Sequence, residues 1–295
     1  MPKPSVFTGS CTALITPFRA GNVDYEALAR LIEFQIAGGT DAILVCGTTG
    51  ESATLTEEEK KRVTAFSVER ISGRVPVLVG TGSNDTARAV AMTRFAASSG
   101  ADAALLVTPY YNKANPAGLI KHFETIADCA DIPNVLYNVP SRTGMQIPLS
   151  VYQRLCAHPN IVAVKEASGD LSMILQVMET CGDALAVYSG NDDQTVALMA
   201  MGAAGVISVA ANLLPGEMHE TCRLCLSGCV SEAAKRLFRY LPLIRALFLQ
   251  VNPVPVKTAL SRMGLCRPEL RLPLAEPEKE EAETLFETMK ETGIL

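Results

Sequence analysis

The sequence has few histidines and no excess of basic residues. It carries three histidines in 295 residues, and 26 lysines and arginines against 31 aspartates and glutamates give a formal net charge of -5. A surface that binds nucleic-acid phosphates needs a basic excess. The composition therefore excludes nucleic acid as an expected partner.

Long apolar runs are also missing. No stretch approaches the ~20 apolar residues of a membrane span, and the opening Met-Pro-Lys-Pro-Ser-Val-Phe lacks the apolar run of a signal peptide. We therefore expect a cytoplasmic protein with no membrane partner. The nine cysteines are an odd number spread over a long chain, which favours reduced core thiols over a disulfide framework.

One pattern repeats along the chain, a short apolar strand followed by an amphipathic helix. Strands that are apolar without alternation are typical of a parallel sheet buried on both faces. The strands are predicted at residues 8–16, 42–46, 75–79, 103–107, 134–137, 160–165, 185–189 and 205–208. The helices between them include one that begins with a capping box, Thr56 followed by Glu59. Eight such units in roughly 220 residues predict an α/β fold, a closed (β/α)8 TIM barrel.

An open, doubly wound sheet is the alternative. Against it, no G-x-G-x-x-G turn follows the first strand, and the Gly80-Thr-Gly82 loop lacks a third glycine and the P-loop lysine. After residue 230 the pattern changes to helices alone, linked through Asn252-Pro-Val-Pro255. We predict a catalytic barrel at 1–230 and a C-terminal helical appendage at 231–295 that packs on the barrel.

The sixth predicted strand ends in a lysine, Lys165. Catalytic residues of (β/α)8 barrels lie at the carboxyl ends of strands, so an amine held there among apolar walls is a candidate nucleophile for a carbonyl. The ordinary alternative is a lysine that snorkels to solvent. Neighbouring strand ends decide between the two.

Those ends carry hydroxyls and an arginine. Gly47-Thr-Thr-Gly50-Glu-Ser52, placed at the start of the second helix, can present successive N–H groups to a carboxylate or phosphate, although a plain glycine turn is the alternative. Tyr110, Tyr111 and Tyr137 can pass protons or simply pack. Arg142 is either a solvated charge or a bidentate carboxylate ligand. Together they suit an oxo acid whose ketone would form a Schiff base with the lysine.

No aspartate or histidine cluster with metal spacing follows the strands, which argues against a metal-dependent aldolase, and we expect no metal. His122, His158 and His219 fall in helical or helix-end stretches. Cys222, Cys225 and Cys229 lie at helical spacing with no second ligand cluster nearby. We interpret them as one buried helical face rather than a zinc site.

Six motifs, in order and each at a strand end, carry a family resemblance over nearly the whole chain. They are Gly47-Thr-Thr-Gly-Glu-Ser52, Thr108-Pro-Tyr-Tyr-Asn112, Tyr137-Asn-Val-Pro-Ser-Arg-Thr-Gly144, Val164-Lys-Glu-Ala-Ser168, Ser189-Gly-Asn-Asp192 and Gly205-Val-Ile-Ser208. The chain resembles the dihydrodipicolinate synthases. This resemblance implies condensation of pyruvate with L-aspartate 4-semialdehyde, the first committed step towards diaminopimelate and lysine. It implies no cofactor beyond the covalent Schiff base.

The resemblance also implies catalytic roles. Lys165 would be the Schiff-base lysine, and Tyr137 the general acid/base that relays protons through Thr48 to Tyr111. In this family that last tyrosine comes from the neighbouring subunit, so the chain is expected to form a homo-oligomer, a dimer of dimers in many members.

Substrate-binding roles follow in the same way. The backbone amides of Thr48 and Thr49 would hold the pyruvate carboxylate, and Arg142 the carboxylate of the semialdehyde. The carbonyls of Gly190 and Ile207 would line the pocket. N-acetylneuraminate lyase and the oxo-sugar-acid aldolases share the barrel and the lysine, but the arginine motif Pro-Ser-Arg-Thr-Gly resembles the synthases. A non-catalytic binding barrel would need a degenerate site, whereas every catalytic position here is filled.

Lysine-inhibited members bind their effector in an interface pocket. The matching residues here are Ser52, Ala53, Glu57, Lys60, Asn84, Arg88 and Tyr110. Those members usually have a carboxylate at the position of Arg88, and histidines at one or both of positions 57 and 60. Because a cation at 88 repels the ammonium of lysine instead of pairing with it, we predict weak or no feedback inhibition.

Overall fold

The computed structural model describes residue 3 and residues 5–295. Eight parallel strands close into a barrel in chain order, because the first strand pairs with both the second and the last. The strands are β1 Gly9–Ala13, β2 Ala42–Val45, β3 Val77–Gly80, β4 Ala103–Val107, β5 Asn134–Asn138, β6 Ile161–Glu166, β7 Ala186–Ser189 and β8 Gly205–Ser208. The predicted TIM barrel is confirmed, and the open sheet is excluded.

A barrel helix packs between each strand and the next. The barrel helices are α1 Tyr25–Ala37, α2 Glu57–Ile71, α3 Thr86–Ser98, α4 Pro116–Ala127, α5 Leu149–Leu155, α6 Leu171–Cys181, α7 Thr195–Ala200 and α8 Pro215–Leu226. The predicted capping box of α2 is confirmed, since the Thr56 hydroxyl accepts from the Glu59 N–H and the Glu59 carboxylate accepts from the Thr56 N–H. Within the described residues, no helix combines the length and apolarity needed to cross a membrane.

Several short elements were not predicted, and three of them lie after β1, after β5 and before α2. A hairpin of Phe18–Arg19 and Asn22–Val23 follows β1, a single helical turn Pro140–Thr143 follows β5, and a 3-10 turn Ser52–Thr54 precedes α2. The prediction that the 47–52 loop lies at the start of α2 is therefore wrong, because this helix begins only after its cap Thr56. The N–H groups of this loop are therefore not part of the amino terminus of α2.

The alternation along each strand produces two apolar layers. One fills the inside of the barrel, with Cys11, Leu44 and Tyr188 among its members, and the other lies between the strands and the helices. Because side chains alternate along a strand, Lys165 lies on the same side as the interior residue Ala163. The next residue, Glu166, faces the helices instead.

Three C-terminal helices complete the fold, α9 Val230–Ala246, α10 Val254–Arg262 and α11 Lys279–Glu291. Their apolar side chains, including Leu237 and Leu285, belong to the same cluster that packs the barrel helices on the strands. The segment between α9 and α10 reaches the carboxyl ends of the strands. The domain boundary after residue 230 stays a prediction.

Candidate active site

Lys165 and Tyr137 face each other inside the barrel. They are paired in the parallel register of β5 and β6, and the Lys165 Nζ lies 4.5 Å from the centroid of the Tyr137 ring. The two residues are only 5% and 6% exposed. Lys165 therefore does not snorkel to solvent. Its amine is held against an aromatic face, which attracts a cation.

The backbone of the 47–52 loop turns its carbonyls inwards. The Gly47 oxygen accepts from the N–H groups of Gly50 at 3.1 Å and Ser52 at 3.3 Å, and the Thr48 oxygen accepts from the Glu51 N–H at 3.0 Å. In a trans peptide the C=O and N–H bonds point in opposite directions. The N–H groups of Thr48 and Thr49 therefore point out of the loop, as an anion site requires.

A cleft of about 310 Å³ adjoins this loop, with Thr48, Val139, Arg142 and Asn252 in its lining. Arg142 is exposed on the helical turn after β5, and its Nη2 donates to the Asn252 carbonyl at 3.1 Å. The Asn252 side chain in turn donates to Thr49 Oγ1 at 2.9 Å. The structure thus links the predicted carboxylate loop to the predicted arginine. Lys165 and Tyr137 are not part of the cleft lining.

Asn252 was missed because it was assigned to a linker. The sequence held no local signal for this residue, because the burial that continues without interruption from Asn252 to Leu260 is visible only in the structure. The buried Lys257 in the same stretch was missed for the same reason.

Gly190 and Ile207 lie at the ends of β7 and β8. The Gly190 N–H donates to the Glu166 carbonyl at 2.6 Å, and a Cβ at position 190 would lie 2.7 Å from the Cβ of Ala167. Only glycine allows this close approach. Ile207 is fully buried and pairs in register with Cys11 of β1.

Tyr111 stands apart from the other predicted catalytic residues. It is 94% exposed and has a left-handed backbone with φ 68°. The loop beneath it is fixed, since Asn84 Nδ2 donates to the Tyr110 carbonyl at 3.2 Å and Asn112 Nδ2 donates to the Asn84 carbonyl at 2.9 Å. The side chain is therefore presented to solvent by an ordered backbone.

A second cavity of about 650 Å³ adjoins the cleft. Its lining includes all seven residues of the predicted effector pocket: Ser52, Ala53, Glu57, Lys60, Asn84, Arg88 and Tyr110. The two cavities share Ser52, Ala53, Lys60, Gly82 and Tyr110. The 47–52 loop ends in their common wall.

Two buried carboxyl groups lie near Lys165, that of Glu166 at the end of β6 and that of Asp192 after β7. Burial raises the pKa of Glu166, which accepts from the Tyr152 hydroxyl at 2.6 Å and from Ser168 Oγ at 2.8 Å. Burial also raises the pKa of Asp192, although the backbone N–H groups of Val209 and Ala210 and the charge of Lys165 favour its ionised form. The role of Asp192 in holding the β8 loop had no sequence signal beyond its place after a strand.

Among residue 3 and residues 5–295, no group of three histidine, cysteine or acidic side chains is arranged to hold a metal ion. The interpretation of three cysteines as one buried helical face is wrong for Cys229. Cys222 and Cys225 are buried on α8, but this helix ends at Leu226 and Cys229 is exposed at the cap of α9.

Fold and cleft together define the class of protein. It is an enzyme-type (β/α)8 barrel with a buried lysine amine and, at the carboxyl ends of its strands, a cleft lined by both polar and apolar residues. The model of the Dihydrodipicolinate synthetase family matches residues 6–292. The chain belongs to this family.

Individual relatives match over nearly full length. The 4-hydroxy-tetrahydrodipicolinate synthase of Clostridium perfringens (strain SM101) is 50% identical over 290 residues, which cover 98% of this chain and 100% of the relative. The crystal structure of dihydrodipicolinate synthase from Aquifex aeolicus has a TM-score of 0.96 at 47% identity, covering 98% of this chain and 99% of that one. A monomeric dihydrodipicolinate synthase variant has a TM-score of 0.96 at 39% identity, with 98% of both chains covered.

Proposed function

We propose that the chain catalyses the condensation of pyruvate with L-aspartate 4-semialdehyde to 4-hydroxy-tetrahydrodipicolinate and water. This reaction is the first committed step towards diaminopimelate and lysine. The observation that carries the proposal is the buried Lys165 amine, held over the Tyr137 ring in a barrel whose full-length relatives are named as this synthase.

The first half-reaction joins pyruvate to the enzyme. The neutral Lys165 amine attacks C2 of pyruvate, and loss of the carbonyl oxygen as water gives a protonated imine. Removal of a proton from the methyl group then leaves an enamine. The outward N–H groups of Thr48 and Thr49 hold the substrate carboxylate during these steps.

The second half-reaction forms the ring. The enamine carbon attacks the aldehyde carbon of the semialdehyde, and the resulting alkoxide takes up a proton. The amino group of the second substrate then attacks the imine carbon, closes the six-membered ring and expels the Lys165 amine. Arg142, exposed at the mouth of the cleft, holds the second carboxylate, and the Gly190 and Ile207 carbonyls line the pocket.

Proton transfer needs a hydroxyl chain. Tyr137 is the acid/base group next to the amine, and Thr48 continues the chain towards the cleft. The outer end is Tyr111 of the partner subunit, because the chain's own Tyr111 is directed to solvent. The proposal therefore includes a homo-oligomer, at least a dimer and in its full form a dimer of dimers, working in the cytoplasm.

Reductive trapping tests the proposal. Incubation with pyruvate and borohydride should add one reduced pyruvate to Lys165, detected by peptide mass spectrometry, and Lys165→Ala should remain unmodified and inactive. Lys121→Ala, which removes an exposed lysine of α4, is the matched control and should be trapped like the wild type. Persistent labelling of the Lys165→Ala variant, or no turnover of the two substrates by the wild type, contradicts the proposal.

A further inference from the structure

A buried ion pair lies behind the 47–52 loop. The side chains of Glu51 and Lys257 are both 0% exposed, and the Lys257 ammonium pairs with Glu51 Oε1. The other carboxylate oxygen, Oε2, accepts from the backbone N–H of Arg271 at 3.1 Å. Two residues of the C-terminal region, Lys257 and Arg271, thus both bond to the Glu51 carboxylate.

Glu51 is also the residue that closes the loop. Its N–H bonds to the Thr48 carbonyl at 3.0 Å, and its carbonyl accepts from the Thr54 N–H at 3.0 Å. Its φ of 52° is left-handed, an unfavourable conformation for a residue with a side chain. The buried contacts of the carboxylate therefore hold Glu51 where the loop needs it.

The cations around Glu51 share one aromatic ring. The Lys257 Nζ lies 4.1 Å and the Arg271 guanidinium carbon 4.4 Å from the Phe18 ring centroid. Arg271 also donates to the Thr54 carbonyl at 3.0 Å and to Glu59 at 2.7 Å. The C-terminal segment therefore also fixes the residues that follow the loop.

Charge makes the pair sensitive to loss of either partner. A buried ion without its partner is strongly unfavourable, and burial already lowers the pKa of Lys257 while the Glu51 carboxylate opposes this shift. Without Lys257, the negative charge of Glu51 would lose its ion-pair partner and keep only the charge of Arg271 nearby, close to N–H groups that bind an anion. The loop would have to move Glu51 towards solvent, and the peptide planes of Thr48 and Thr49 would turn with it.

We propose that Glu51 and Lys257 form a positioning pair, which orients the Thr48 and Thr49 N–H groups and so sets the affinity for the carboxylate of the oxo-acid substrate. This inference rests on the proposed function. Neither residue touches the reacting atoms. The pair acts through the backbone of the loop, as the Glu51–Thr48 hydrogen bond connects them.

The expected kinetic effect depends on the reaction steps during which the pyruvate carboxylate is bound. Pyruvate keeps its carboxylate through imine, enamine and product, so a weaker carboxylate site lowers ground-state and transition-state binding alike. Such a loss raises the KM for pyruvate. A merely structural defect would instead lower the amount of active enzyme.

The test is reductive trapping of Lys165 across a range of pyruvate concentrations. Lys257→Met should raise the half-saturating pyruvate concentration about 10- to 100-fold, while trapping at saturation reaches the wild-type extent. Glu51→Gln should shift it in the same direction. Glutamine is nearly isosteric with glutamate and keeps an acceptor for the backbone N–H of Arg271. Glu51→Gln therefore still tests the proposal if Lys257→Met does not fold. The double variant Glu51→Gln/Lys257→Met leaves no unpaired charge. Its fold increase in the half-saturating pyruvate concentration should be smaller than the product of the two single-variant increases.

Lys3→Met is the matched control. Lys3 donates to the carbonyls of Cys156, His158 and Ile161 at 2.6 to 2.7 Å, and it lies away from the 47–52 loop. Its loss should lower the melting temperature without moving half-saturation. Folded Glu51 and Lys257 variants with wild-type half-saturation overturn the positioning pair alone. A wild-type enzyme that pyruvate and borohydride do not modify overturns the proposed function, and the pair with it.

Discussion

The Lys165 Nζ lies over the ring of Tyr137, 4.5 Å from its centroid, and the two residues are opposite one another in the pairing of β5 with β6. Backbone hydrogen bonds of the barrel therefore fix the distance between the amine and the tyrosine. The ring provides a wall for the amine, and the hydroxyl is a separate, chemical contribution.

Tyr137→Phe separates these two contributions. The ring stays, so Lys165 should still be trapped by pyruvate and borohydride on long incubation, whereas kcat should fall about 10²- to 10⁴-fold because the acid/base hydroxyl is lost. Tyr25→Phe is the control, since the Tyr25 hydroxyl is buried on α1 without a hydrogen-bond partner among the described residues. Steady-state rates of the wild type, Tyr137→Phe and Tyr25→Phe test this prediction. An unchanged kcat in Tyr137→Phe refutes the acid/base role.

The barrel was predictable because its signal is local. Each strand is buried on both faces and each helix has one apolar face, so the alternation appears directly in the sequence. Lys165 was found for the same reason, as a cation where the pattern demands an apolar residue.

The supporting contacts were not predictable in this way. Asn252 meets Thr49 across 203 residues and Lys257 meets Glu51 across 206. Nothing local marks such partners, because the closure of the barrel and the return of the C-terminal segment bring them together. The inward carbonyls of the 47–52 loop also depend on a left-handed Glu51, which sequence propensities do not predict.

Mixing two inactive variants tests the role of the partner subunit's Tyr111. Lys165→Ala and Tyr111→Phe should each lose most activity alone. After mild unfolding and reassembly together, a mixed dimer has one site with both Lys165 and a tyrosine donated across the interface. Half of the dimers are mixed and each has one intact site of two, so about a quarter of wild-type activity should return. No recovery despite mixed dimers in native mass spectrometry contradicts a trans-acting tyrosine.

Arg88 is predicted to weaken or prevent inhibition by L-lysine. It lines the 650 Å³ cavity with Lys60, and among the described residues its only salt-bridge contact is an exposed one of 3.6 Å with Asp85. The wild-type rate should be insensitive to sub-millimolar L-lysine, since two cations repel the ligand's ammonium. Arg88→Glu should bring measurable inhibition at lower L-lysine concentrations, whereas Arg94→Glu on the same helix should not. Sub-millimolar inhibition of the wild type refutes this prediction.

His122 should make the fold sensitive to acid. It is 7% exposed, its Nδ1 is hydrogen-bonded to Thr86 Oγ1 at 2.9 Å, and burial lowers its pKa. The unfolded chain takes up this proton near pH 6.5 and the folded protein only at lower pH, so the free energy of unfolding falls by up to ~1.4 kcal/mol per pH unit as the pH drops through that window. In urea unfolding at several pH values, His122→Gln should flatten this slope. Thr86→Val keeps the imidazole and should lower stability with the slope retained, and equal slopes in wild type and His122→Gln contradict the assignment.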